Sequence, residues 1–197
     1  MTPKQEERIK NKIVKIKKAL AADKKYWNGY YHDGQGLRYL PPRFYIQLGD
    51  YSGGLRYLNW FNKNFPDDSG FPDFLFEWTI ILFKTGRTKE AERKAFKTFT
   101  SNTYLFDKFF DREITKVEKL EMSNLEVAEF AIDYFNYSNK QENLLDFAEW
   151  LKKVTQTEKF STLMNKFIDI QKQLKYENNH KTRKELIDLT YELENEL

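Results

Sequence analysis

Apolar residues recur at spacings of three and four along most of this chain, and the stretches in which they do so predict its helices. Ile9, Ile13, Ile16 and Leu20 form one such stripe over residues 3–22, with Lys10, Lys12, Lys15, Lys17 and Lys18 covering the remainder. That pattern predicts a basic amphipathic helix docked through its isoleucines. From 26 to 42 the periodicity stops: three glycines and two prolines among many aromatics predict a loop. Leu105, Phe106, Phe109 and Phe110 predict a short buried helix. Residues 111–122 are charged, and Thr115 and Glu118 stand at capping-box spacing, which predicts another helix or an irregular link.

The last third has neither glycine nor proline and reads as helical throughout. Ser123 and Glu126 have capping-box spacing ahead of a helix expected to run to about residue 137. A turn over 138–143 leads to a helix marked by Leu144, Leu145, Phe147, Ala148 and Leu151. Another carries Phe160, Leu163, Met164, Phe167, Ile170 and Leu174. Thr182 and Glu185 are the expected cap of the last helix, whose apolar face would be Leu186, Leu189, Leu193 and Leu197.

Two short turns organise the centre. Gly49 and Gly86 each close one helical pattern, and a small residue five positions later, Gly54 or Ala91, lies one turn into the next. Such a glycine is expected in the left-handed conformation that ends many helices. Gly49, Tyr51, Gly54, Leu55, Leu58, Phe61 and Pro66 resemble the turn glycine, turn aromatic, small contact residue, second-helix positions and closing proline of a tetratricopeptide repeat. Trp78, Leu82, Gly86, Ala91 and Ala95 fill similar roles in a second unit, which Pro72 opens and in which Thr103 replaces the proline. A weaker echo runs through Val127, Ala131, Tyr134, Leu144, Phe147 and Trp150. The resemblance implies an all-α chain, a right-handed stack of antiparallel helix pairs forming a tetratricopeptide-like α-solenoid with flanking N- and C-terminal helices. The expected layout is a single all-helical domain over 1–197: a basic helix over 1–25, an aromatic loop over 26–42, two repeat-like helix pairs over 43–99, and further capping helices over 100–197.

Composition narrows the function classes. The 197 residues are 40% hydrophobic, 17% aromatic and 32% charged, enough to build a packed core beneath a charged surface. The net charge of +3 is uneven, because residues 1–30 hold nine Lys and Arg against three Asp and Glu. The absence of cysteine excludes disulfides, thiolate metal sites and cysteine nucleophiles, and it fits a reducing interior. The longest apolar run, around Phe74 to Phe83, is cut by Glu77 and Thr79, so no membrane span is expected. The N-terminus lacks an apolar stretch free of lysine, so no secretory signal is expected either and the expected location is cytoplasmic.

Catalytic motifs are missing. The chain has no phosphate-binding Walker loop, zincin helix or Gly-x-Ser-x-Gly elbow, and Gly34-Gln35-Gly36 lacks the third glycine and preceding strand of a dinucleotide fingerprint. His32-Asp33 looks like half of a catalytic or metal pair, but the second histidine, His180, is remote in sequence, so a surface loop histidine is expected. No enzyme activity, cofactor or metal is therefore expected.

Two binding readings remain. One is a protein-interaction module or adaptor holding a peptide or helix of a partner. The other is a nucleic-acid-associated protein using the basic N-terminal helix. The resemblance implies that the first helix of each pair lines an inner wall, which selects Tyr39, Arg43 and Gln47 from the first unit and Phe76, Ile80, Phe83 and Lys84 from the second. Their chemistry, apolar area with a guanidinium, an ammonium and an amide, suits peptide anchoring. The alternative for Phe76, Ile80 and Phe83 is a place in the core, beneath helices that fold over the groove.

Overall fold

A computed structural model describes residues 1–197. The protein is all-α, with ten helices and no strand, and it divides into two compact units, Met1–Gly86 and Arg87–Leu197.

In the first unit, α1 spans Pro3–Tyr26. The Thr2 hydroxyl accepts the Gln5 N–H while the Gln5 side chain accepts the Thr2 N–H, and Pro3 occupies the first turn, where no donor is missed. Ile13 and Leu20 are buried, and Lys10, Lys12, Lys15, Lys17 and Lys18 are exposed, so the isoleucine stripe faces inward as the spacing predicts. The helix runs four residues past its predicted end. The following loop is shorter than expected and partly ordered: Leu37–Tyr39 forms a 3-10 turn, and Pro41-Pro42 opens α2, Pro41–Leu48, instead of closing the loop. Proline's fixed φ suits a first helical turn, which explains the difference.

Gly49 ends α2 with φ 66°, and Gly86 follows the helix that ends at Lys84 with φ 77°, so both turn glycines adopt the left-handed conformation. Asp50 then caps α3, Tyr51–Asn64, by accepting the Gly53 N–H at 2.8 Å. Gly54 lies where helices meet: a Cβ there would sit 2.8 Å from Ile81 Cδ1 and 3.2 Å from Tyr45 Cβ. Pro66 follows the end of α3, and Pro72 opens α4, Pro72–Lys84. That helix is enclosed on most of its surface: Phe74, Leu75, Phe76, Ile80, Ile81 and Leu82 are all buried, and so are Glu77 and Thr79. Helix α2 packs against α1, α3 and α4. Aromatic contacts fill the junction, with Phe61 4.7 Å and Tyr39 5.2 Å from the Phe74 ring.

The second unit contains α5 (Thr88–Ser101), α6 (Leu105–Phe109), α7 (Ala128–Asp133), α8 (Leu145–Thr155), α9 (Glu158–Tyr176) and α10 (His180–Asn195). Helix α9 packs on α5, α8 and α10 around Phe96, Phe99, Phe160 and Phe167. One open alternative is decided here, in favour of an irregular link, and two expectations change. Residues 111–122 form no helix, because long-range side chains take over their polar groups: the Tyr104 hydroxyl accepts Val117 N–H, and Lys175 and Tyr176 donate to Glu118. Ser123 and Glu126 do bond to each other at 3.3 Å, yet the helix begins only at Ala128 and stops at Asp133. Buried Asn102 donates to the Leu125 and Val127 carbonyls, holding that backbone out of helical geometry. The last helix is capped by Asn179, not Thr182, and Leu189 is exposed.

Candidate functional site

The loop between α1 and α2 is fixed by carboxylates. Asp23 on α1 accepts the His32 and Asp33 N–H groups, and Asp33, with φ 37°, accepts those of Leu37 and Arg38. Arg38 bridges Asp33 at 3.0 Å and Asp68 at 2.8 Å, and its remaining nitrogen donates to the Tyr39 hydroxyl. Burial pulls the Arg38 guanidinium downward in pKa, but the Asp68 and Asp33 bonds outweigh it and the net shift is upward. Tyr39 donates to Asp68, and burial, reinforced by that carboxylate, pushes its hydroxyl up to about 12. Tyr57 on α3 donates to the Arg38 carbonyl at 2.8 Å, and burial followed by the nearby Asp33 charge raises its pKa strongly. Asp33 is thus a structural anchor, and His32 is exposed beside Trp27.

This anchored loop forms one side of a cleft of about 440 Å³. Helix α1 contributes Lys17, Leu20 and Ala21; the loop contributes Tyr31; α2 contributes Tyr45; Asp50 and α3 contribute Gly53, Arg56, Tyr57 and Trp60. The rings form a continuous lining, with Tyr31 5.7 Å from Trp60, Trp60 5.2 Å from Tyr57, and Tyr57 6.3 Å from Tyr45. Lys17 Nζ lies 5.6 Å from the Tyr45 ring centre and 5.9 Å from that of Tyr57, within cation–π range. Neither Lys17 nor Arg56 has a carboxylate partner. Asp50, the one acidic residue of the lining, is committed to capping α3. A single carboxylate gives no metal-ligand set, and no three His, Asp or Glu side chains cluster elsewhere to hold one.

The residues selected for an inner wall all lie in the first unit, and α2 and α4 do pack side by side. Arg43 joins them, pairing with Asp73 at 3.0 Å and approaching Glu77 at 3.5 Å. Tyr39 has its hydroxyl engaged as described, and Gln47 is exposed. Phe76 and Ile80 are wholly buried and belong to the core, the alternative weighed for them, so the seven residues do not make a continuous exposed stripe. Phe83 and Lys84 are half-buried, with Lys84 Nζ 5.5 Å over the Tyr51 ring.

The cleft residues escaped sequence reading because they come from the N-terminal helix, the loop and the second helix of the pair. One signal was available: Lys17 falls four after Ile13 and three before Leu20, in register with the buried stripe. A lysine on an otherwise apolar face has its stem packed and its ammonium directed to a polar opening. No family model matches this chain, and no curated protein or solved structure matches it either.

Proposed function

We propose that this is a tetratricopeptide-like repeat protein, with helix pairs stacked right-handedly, that works in the cytoplasm as a non-catalytic module or adaptor docking a peptide of a partner protein. The observation that carries the reading is the cleft: a ring-lined concavity of about 440 Å³ with two cations that have no acidic partner. Concave, aromatic-lined sites with a few placed polar groups are the usual form of a recognition pocket. Rigid rings cost little conformational entropy on binding, and the half-buried Tyr31 and Trp60 offer ring surface to a ligand over the buried Tyr45 and Tyr57. The anchored loop supports the same reading, because a fixed wall reduces what must be ordered when a partner arrives.

A photo-crosslinking residue placed in living cells at Ala21, at Gln47 and at the remote Gln156 tests this. A protein adduct at Ala21 but not at Gln156 is the expected result. An adduct at Gln47 alone would place the partner on the α2–α4 face, and adducts at none of the three would reject the module.

A second reading, nucleic-acid association, draws on one observation. The basic helix ends in exposed aromatics, with Tyr26 78%, Trp27 45% and Tyr30 79% exposed, next to Lys25. Bases stack on such rings. Binding of single-stranded RNA that weakens steeply with salt, and that is lost on Trp27→Ala and Tyr30→Ala, would favour it.

A further inference from the structure

Resting on the reading of the cleft as a peptide-docking site, we infer that its ligand is an acidic segment of a partner protein, with an Asp or Glu held between Lys17 and Arg56 and a neighbouring aromatic or aliphatic side chain on the rings. Charge complementarity carries this. The first unit has fourteen Lys and Arg against nine Asp and Glu, a net +5, whereas the second unit is net −2. Within the cleft two cations, Lys17 and Arg56, face one carboxylate, Asp50, which turns an oxygen to the Gly53 N–H and forms an ion pair with neither of them. A cation with no internal ion pair gives up no existing pair when an external carboxylate arrives.

The shape selects a peptide over a nucleic acid. A strand of nucleic acid needs a track of cations spaced along a groove, with successive bases laid on successive rings. Here the rings of Tyr31, Tyr45, Tyr57 and Trp60 line one concavity, and Lys17 and Arg56 line it with them. That volume accommodates one or two side chains, and its two cations can read one or two charges. Arg56 offers a planar fork that grips a carboxylate through two parallel bonds, and Lys17 offers a point charge above the rings.

Panning a phage-displayed random-peptide library on the full-length protein, with counter-selection on Lys17→Glu/Arg56→Glu, tests both levels. Thermal melting of that variant and of Lys17→Gln/Arg56→Gln confirms that each is folded. The expected result is enrichment of sequences with Asp or Glu beside an aromatic or aliphatic residue, with affinity lost at least roughly tenfold in both variants. Amide twins of the enriched peptides, with Asn and Gln for Asp and Glu, should bind about tenfold more weakly to the parent protein. Peptides that depend on Lys17 and Arg56 but carry no acid, or amide twins that bind equally, would overturn the acidic ligand and leave the module standing. No enrichment, or peptides indifferent to both variants, would overturn the peptide-docking reading of the cleft itself. Polyuridylate that binds more tightly than any selected peptide and is lost in both variants would assign the cleft to nucleic acid instead.

Discussion

Lys17 and Arg56 in the first unit, and Lys116, Lys153, Lys175 and Lys184 in the second, are all long cations on a helical scaffold, yet their surroundings differ. Each of these four second-unit lysines has an acidic partner: Glu129, Glu149 at 2.6 Å, Glu118 and Asp188 at 2.6 Å respectively. The first-unit pair has none and lines a concavity of aromatic rings instead. Exposed ion pairs contribute only about 0–1 kcal/mol each, so stability does not explain the contrast. What differs is availability, since a paired surface cation is locally neutralised while an unpaired one in a cleft projects its charge toward whatever enters.

The first unit also contains cations that are structural, and removing one separates the two roles. Arg38→Met would strip the guanidinium from Asp33, whose side chain is 2% exposed, and from Asp68, 12% exposed. Breaking a buried pair typically costs about 3–5 kcal/mol. Arg38 itself is a fifth exposed, so the expected loss is about 3 kcal/mol by urea unfolding. A loss under about 1 kcal/mol would place Arg38 with the dispensable surface cations.

Gly54→Leu probes the cleft floor. The new side chain would displace Ile81 and Tyr45, the second of which lines the cleft. Overpacking of this kind costs about 1–3 kcal/mol and should also weaken ligand binding. Unchanged melting would put Gly54 outside the helix contact.

Alkaline pH compares the units through their tyrosines. Burial raises Tyr39 and Tyr104 to about 12, Tyr39 helped by Asp68 and Tyr104 by Glu121. A raised folded-state pKa means that the unfolded chain, ionising near 10, loses its protons first. The resulting stability is fully present below about pH 10 and is lost as pH rises through about 12. Tyr39→Phe and Tyr104→Phe should each flatten this loss in urea titrations; an unchanged slope in both would mean their hydroxyls ionise freely in the folded protein.

How far the fold could be read ahead depended on what fixed each segment. Between Gly49 and Gly86 the determinants are local: glycines needing positive φ, prolines opening or closing helices, and Gly54 beneath Tyr45. A sequence displays such determinants directly. Residues 111–127 are set by remote partners, Asn102, Tyr104 and Lys175, so a capping-box spacing there had no helix to cap. The candidate site was illegible for a related reason. The repeat resemblance points to the first helices of the pairs, but the concavity is built by α1 and the loop closing on α3, an arrangement that no single helical pattern encodes. Phe76 and Ile80 show the converse, since a mostly apolar helix whose mid-helix polar residues, Glu77 and Thr79, are themselves buried gives little sequence signal of which face is open.

Equilibrium urea unfolding of Lys17→Gln/Arg56→Gln against the parent protein tests most directly whether the cleft cations are held for a ligand and not for the fold. With no ion pair to break and only the cation–π contacts of the exposed Lys17 with the Tyr45 and Tyr57 rings to lose, the double variant should unfold within about 1 kcal/mol of the parent. A loss of about 2 kcal/mol or more would make these cations part of the structural framework, like Arg38, and would contradict the distinction between paired and available charge.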